Sequence, residues 1–171
     1  MLSIDFGTSN TAAAYAVDGG APRPIRLGSN ADFIPSCVWR HPQGTQVGDP
    51  ARNGMRRAPQ LFVEHPKAEL GRGSVLLGDE EVPVVDLVAE VLKAVVRKSL
   101  PIRNGVAPSG IILTHPQAWA GERLTALLAA WRQVGIPAPV RLVSEPIAAV
   151  SKLALAGAAP TGARVAVVDY G

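Results

Sequence analysis

Three acidic residues occupy the same kind of position in this sequence: Asp5 ends the apolar run that begins at Leu2, Glu145 follows "VRLVS", and Asp169 closes "VAVV". A carboxylate at the end of a buried strand sits where open sheets gather their ligands, so three of them could converge on one cleft. Three bare carboxylates repel one another, and a hydrated divalent cation relieves that repulsion. Mg²⁺ suits such a site because it keeps several waters and meets carboxylates and phosphates together. The same spacing also fits three unrelated strand-end acids capping neighbouring turns, and spacing alone leaves both readings open.

The residues after Asp5 sharpen the question. In "IDFGTSNTA" a glycine and three small polar residues, Gly7, Thr8, Ser9 and Asn10, follow the strand end. Gly7 allows a ligand close to the backbone, and successive N–H groups in such a turn form an anion-binding concavity. A plain hairpin turn accounts for part of this. Paired with "VVDYG" (Val167–Gly171) near the other end of the chain, it becomes one of two similar acid-x-Gly strand ends.

Placing these groups requires strands that stop at them. Residues 2–6 read as a buried strand, with Thr11–Val17 as its hairpin partner and a third short strand around Ile25–Leu27, beyond a turn at Asp18-Gly19-Gly20. Residues 29–82 change character: they hold many of the prolines and glycines, two short strands ("IPSCVWR" and "TQVG") and a helix-like stretch from Pro50 to Ala58. They read as a small lobe inserted into a larger one made of residues 1–28 and 83–171. From Pro83 helices and strands alternate. "VPVVDLVAEVLKAVVRKSL" places Leu87, Val88, Val91, Leu92, Val95 and Val96 on one face and Glu90, Lys93 and Arg97 on the other. "SGIILTH" is a strand stopped by Pro116, and "AGERLTALLAAWRQVG" a helix with Leu124, Leu127, Leu128 and Trp131 inward and Gly135 at its C-terminal stop. "VRLVSEP" is a strand, "PIAAVSKLALAG" a helix and "ARVAVVDYG" a final strand. The sum is an α/β architecture, a hairpin sheet extended by helix-linked strands.

With 171 residues, 47% of them apolar and 18% charged, the chain can bury a real core, and nothing in its composition points to disorder. A net charge of +3 is too slight to point to nucleic acid, and Arg52, Arg56 and Arg57 read as a solvated helix face. Cys37 is the single cysteine, so no internal disulfide forms, in keeping with a reducing cytoplasm. Asp5 interrupts the first apolar run, which argues against a signal peptide, and "LALAGAA" is far too short to span a bilayer. His41, His65 and His115 have no metal-ligand spacing and read as surface or turn residues.

Taken in order, these stretches resemble a known family. "IDFGTSNTA" is similar to the first phosphate loop of the actin-like ATPase superfamily and "VAVVDYG" to the start of its second. Within that superfamily, further stretches resemble the seventy-kilodalton heat-shock (DnaK-type) chaperones: "IPSCV", "VGDPARN", "FVEHPKAELGR", "ILTHPQAWAGERLTAL" and "SEPIAAV" match that family's segments in the same order along essentially the whole chain. The resemblance implies a ribonuclease-H-like, actin-like ATPase lobe, a mixed sheet with flanking helices plus a small inserted α+β subdomain. It also implies ATP or ADP with Mg²⁺ as cofactors. Gly7, Thr8, Ser9 and Asn10, with Gly171, would hold the phosphates; Asp5, Glu145 and Asp169 would meet Mg²⁺ through its waters; Asp169 would also polarise the attacking water. Lys67 would reach the γ-phosphate, where the plain reading is a surface lysine. Pro116 and Arg123 match positions that pass the nucleotide state to a docking surface, where the plain reading of Arg123 is a solvated first-turn residue.

Tyr170 in place of the usual leucine, Asn10 after the Thr-Ser pair and an irregular stretch between Ala58 and Lys67 mark a divergent member. In the family, further glycines and a threonine follow Gly171, then a second lobe supplying most adenosine contacts. The expectation is therefore a first lobe that alone binds nucleotide weakly and lacks activity, with the second lobe, a peptide-binding domain and co-chaperones as partners, and neither nucleic acid nor membrane. The competing expectations are a lobe of an actin-like filament ATPase, against which the "GDPA…K…GR" pattern argues, and a non-catalytic interaction domain that kept the fold. A sugar-kinase relative lacks an evident sugar-binding acid.

Overall fold

The computed structural model describes residues 1–17, 20–155, 157–158, 162 and 164–168, and for Arg103 the backbone alone. The chain begins with a hairpin: β1 (Leu2–Phe6) and β2 (Asn10–Tyr15) pair antiparallel from Leu2↔Tyr15 to Phe6↔Thr11. Alternation in β1 buries Leu2, Ile4 and Phe6 completely and turns Asp5 outward. Two short strands, β3 (Arg23–Pro24) and β4 (Phe33–Pro35), share the outer edge of β2.

Next come β5 (Val38–His41), β6 (Gly44–Val47), helix α1 (Asp49–Met55), β7 (Phe62–Val63), helix α2 (Pro66–Glu69) and the hairpin β8 (Ser74–Leu77) and β9 (Glu80–Pro83). Strands β6, β5 and β7 form a separate antiparallel sheet. The long helix α3 (Val84–Ser99) leads to β10 (Ile111–His115), α4 (Gly121–Arg132), β11 (Val140–Ser144) and α5 (Glu145–Leu155). Strand β10 lies parallel between β1 and β11, giving a mixed sheet in the order β11-β10-β1-β2-β3. The protein is thus a mixed α/β fold with flanking helices.

Helix α3 is the centre of the core. Its six predicted inward residues are all buried, and Val84, Ala89, Ala94 and Ser99 join them, because α2, α4 and strands β5, β6, β8 and β9 cover it from several sides. On its half-buried strip Lys93 Nζ pairs with Glu90 Oε1 at 2.9 Å. Lys98 in its last turn donates to the Leu27 carbonyl.

Three strand expectations differ from the structure. The third strand lies at Arg23–Pro24, not Ile25–Leu27: Pro24 has no N–H to extend the ladder, and the chain leaves it, after one bond from Ile25 N–H to the Ala13 carbonyl at 2.8 Å, to bury Ile25 and Leu27. "IPSCVWR" is two strands in two different sheets, because Ser36 spends its backbone N–H on the Ser9 carbonyl. The final strand "ARVAVVDYG" does not form over residues 164–168: no strand pairs with it among the described residues, and Val165, Val167 and Val168 stay exposed. Its Asp169, Tyr170 and Gly171, like Asp18 and Gly19 of the second turn, lie outside the described residues.

A smaller cluster, Cys37, Trp39 and Ala51, is clasped between β5 and α1. Trp39 Nε1 donates to the Ala58 carbonyl at 3.0 Å, and its ring packs against Gly54, where a Cβ would stand 2.2 Å from a ring atom. Burial pushes the Cys37 thiol above its ordinary pKa. Alanine at position 54 would gain about 1 kcal/mol of helix propensity, whereas forcing a bulky ring aside costs about 1–3 kcal/mol. We therefore expect Gly54→Ala to be destabilised in urea unfolding followed by tryptophan fluorescence, and its Cys37 to react faster with a thiol reagent than in the wild-type chain.

Candidate functional site

Strands β1, β10 and β11 run in the same direction, so their C-terminal ends open on one edge of the sheet. Asp5, Thr114 and the step from Ser144 to Glu145 all fall there. The register sets Ile4 beside Leu113 and brings the next pair together: Thr114 Oγ1 donates to Asp5 Oδ1 at 2.6 Å. The Ser144 hydroxyl is buried at the same edge without a hydrogen-bond partner among the described residues.

Gly7–Asn10 joins β1 to β2 at this edge. Gly7 N–H donates to the Asn10 carbonyl at 3.0 Å, and a Cβ on Gly7 would stand 2.3 Å from that oxygen, so the turn closes only around glycine. The remaining carbonyls are tied back. Ser36 Oγ donates to Gly7 O at 2.8 Å and itself accepts from Thr11 Oγ1 at 2.9 Å; Ser36 N–H donates to Ser9 O at 2.9 Å; His65 Nδ1 donates to Thr8 O at 3.2 Å. With the carbonyls taken by Ser36 and His65, the N–H groups of Thr8 and Ser9 have no backbone acceptor among the described residues. That is the arrangement an anion needs.

Helix α2 delivers Lys67. Its side chain is only 3% exposed, and Nζ donates to Glu145 Oε1 at 2.6 Å, from a residue 78 positions away in sequence. Phe6 and Trp119 flank the ammonium, with ring centroids 5.7 and 5.5 Å from Nζ, distances at which aromatic faces attract a cation. Trp119 reaches a second cation, the Arg123 guanidinium, at 5.8 Å. The Arg123 stem lies against Gly71, whose φ of +100° closes the turn after α2. Half-buried Pro116 ends β10 and begins the turn to α4, its carbonyl accepting from Trp119 N–H at 3.0 Å.

The sequence-predicted residues therefore fall into three sets. Asp5, Gly7, Thr8, Ser9 and Asn10 meet at the end of β1. Lys67 and Glu145 meet each other, and Arg123 and Pro116 connect to that pair through Trp119. Asp169 and Gly171 lie outside the described residues. Among the described residues no three acidic, histidine or cysteine side chains form a metal cluster. The donors that are present (two carboxylates, the Thr114 hydroxyl and the partnerless Ser144 hydroxyl) are hard oxygens of the kind that suit a hydrated Mg²⁺.

Four contributors were not singled out from sequence: Ser36, His65, Thr114 and Trp119. Ser36 stands within "IPSCV" and Trp119 within "HPQAWAGER", but their roles depend on which segments fold together.

No protein-family model matches the chain. Among curated proteins it is similar to the chaperone protein DnaK of Methanothermobacter thermautotrophicus, 31% identical over 155 residues, covering 87% of this chain and 26% of that protein. It is also similar to the chaperone protein DnaK of Elusimicrobium minutum, 33% identical over 156 residues, covering 87% of this chain and 25% of that one. A third relative is the chaperone protein HscA homologue of Tolumonas auensis, 26% identical over 169 residues, with 86% of this chain and 27% of the relative covered. The chain spans about a quarter of the length of these relatives, and over that span it is Hsp70-like.

Removing the carboxylate partner of a buried ammonium leaves an unsatisfied charged donor, which costs about 1–3 kcal/mol or more. Glu145→Ala is expected to lose that much in urea unfolding. Adding Lys67→Met should recover most of it, since an apolar side chain suits the Phe6–Trp119 pocket. Simple additivity of the two losses would mean that the pair is not coupled.

Proposed function

We propose that this Hsp70-like chain is the first lobe of an ATP-binding and hydrolysing domain of a chaperone-like protein, an actin-like ATPase lobe in which residues 1–28 and 83–171 form the core and residues 29–82 a small insert. The observation that carries this reading is the Lys67–Glu145 contact at 2.6 Å. It sets Lys67 against the strand-end Glu145, beside a glycine turn whose Thr8 and Ser9 N–H groups have no backbone acceptor among the described residues.

In this reading, the Thr8 and Ser9 N–H groups, with Gly7 and Asn10 shaping the turn, bind the β- and γ-phosphates. Lys67 is the cation that reaches the γ-phosphate and offsets the charge developing there. Leaving Glu145 for the phosphate keeps its ammonium in contact with an anion, so the exchange costs little desolvation. Mg²⁺ would be held through its waters by Asp5, Glu145 and Asp169 and supplies charge neutralisation at the phosphates. Asp5 is oriented for that duty by Thr114. Asp169 is the group assigned to polarise the attacking water, and Gly171 to the second phosphate loop. Catalysis of this kind rests on positioning and charge stabilisation more than on covalent chemistry.

Trp119 touches both Lys67 and Arg123, which supports Pro116 and Arg123 as the route by which nucleotide state reaches the surface. The bare apolar residues of α5, Ile147, Leu153 and Leu155, support a second lobe as the partner covering that face. A peptide-binding domain, co-chaperones and a cytoplasmic setting belong to the same proposal.

Calorimetry on the 171-residue chain should give ATP affinity weaker than micromolar and negligible hydrolysis; micromolar binding by the chain alone would overturn the assignment as one of two lobes. In the full-length protein, Lys67→Ala should lower ATP turnover by about 100-fold or more, the usual cost of removing one preorganised charge-stabilising group. Undiminished turnover would remove Lys67 from the site.

A further inference from the structure

We infer that His65 is a positioning residue of the phosphate-binding turn, the hinge pin that makes the shape of Gly7–Asn10 depend on the placement of α2. This inference rests on the nucleotide reading of that turn and deepens it.

His65 occupies the position immediately before α2, where a side chain ordinarily caps the first free N–H groups of the helix. Here it makes no capping bond. Its Nδ1 instead crosses to a different segment and donates to the Thr8 carbonyl at 3.2 Å, spanning 57 residues of sequence. Neither the short α2 nor the hairpin requires this contact, since each closes through its own backbone bonds.

The consequence follows from peptide geometry. The peptide plane carries the Thr8 carbonyl and the Ser9 N–H on opposite sides, so fixing where the oxygen points fixes where the hydrogen points. Ser36 fixes the planes on either side by bonding the Gly7 and Ser9 carbonyls, and both of those bonds come from the link between β4 and β5. The middle plane alone is held from α2. Two residues further along the same segment, Lys67 projects to Glu145. A displacement of α2 that releases Lys67 from Glu145 therefore also releases the Thr8 carbonyl and unfixes the Ser9 N–H. One short helix thus governs two groups that face a phosphate: an N–H through His65 and an ammonium through Lys67.

The test uses the 171-residue chain and reads the turn directly, by amide hydrogen exchange of Gly7 and Ser36, whose N–H groups close it, with Leu2 and Ile4 of β1 as internal references. His65→Ala should speed exchange at Gly7 and Ser36 roughly three- to tenfold, the effect of losing one modest hydrogen bond, and leave β1 unchanged. His65→Asn, which presents an amide N–H near the place of Nδ1–H, should restore slow exchange. Unchanged exchange in His65→Ala, or no rescue by His65→Asn, overturns the inference. Titration with ATP and Mg²⁺, followed by the amide shifts of residues 7–10, should give a dissociation constant roughly three- to tenfold weaker for His65→Ala. A wild-type chain whose shifts ignore millimolar ATP would overturn the nucleotide reading, while the exchange result still decides the role of His65.

Discussion

A lysine ammonium with 3% exposure is tolerable only with a carboxylate against it, and in this protein that carboxylate comes from just past the end of β11, 78 residues further along the chain. Desolvating a charge without a partner costs far more than any single contact returns. The segment carrying α2 must therefore lie over the ends of β1, β10 and β11, and those ends must be level enough to bring Glu145 within 2.6 Å of Nζ. The aromatic walls follow from the same need. Phe6 ends β1 and Trp119 opens the way to α4, and together they exclude water while offering their ring faces to the cation. A polar site thus organises the contact between the main sheet and the elements that follow it.

The glycine turn obeys a complementary constraint. The carbonyls of a tight turn need hydrogen-bond donors, and here those donors come from other segments of the chain. Ser36 accomplishes most of this from a single residue, through its hydroxyl to Gly7 and its N–H to Ser9, while the Thr11 hydroxyl fills its remaining acceptor site. The cost is visible in the fold. A strand that would have run unbroken from Phe33 to His41 is cut at Ser36–Cys37, and its two halves enter different sheets.

Where burial follows a simple period, the sequence is an adequate guide. The six apolar positions of α3 are buried as their spacing implies, β1 and β2 pair across Gly7–Asn10, and the β10–α4–β11–α5 succession stands as read. Legibility ends where a residue acts through something distant. Cys37 and Trp39 look like a continuation of one strand, because nothing local reports that Ser36 is engaged with Ser9. Lys67 has the appearance of a surface lysine until Glu145 is placed beside it. His65 has no metal-ligand spacing, and its contact lies 57 residues away. The alternation in 164–168 marks a segment suited to a sheet, yet alternation cannot supply the neighbouring strand. Asp5 and Glu145 were legible as strand-end acids, but the Thr114 hydroxyl that orients Asp5 depends on the register between β1 and β10.

That register also has a consequence in time. Strand β1 lies inside the sheet, between β2, made moments after it, and β10, made much later: 109 residues separate Asp5 from Thr114. At a synthesis rate of about 5–20 residues per second, β1 waits roughly 5–20 s with one edge of unpaired backbone N–H and C=O groups open before its second neighbour leaves the ribosome. During that interval the nascent hairpin is itself the sort of exposed strand that holding factors bind. A chain similar to chaperones over a quarter of their length is, during its own synthesis, in the state of a client.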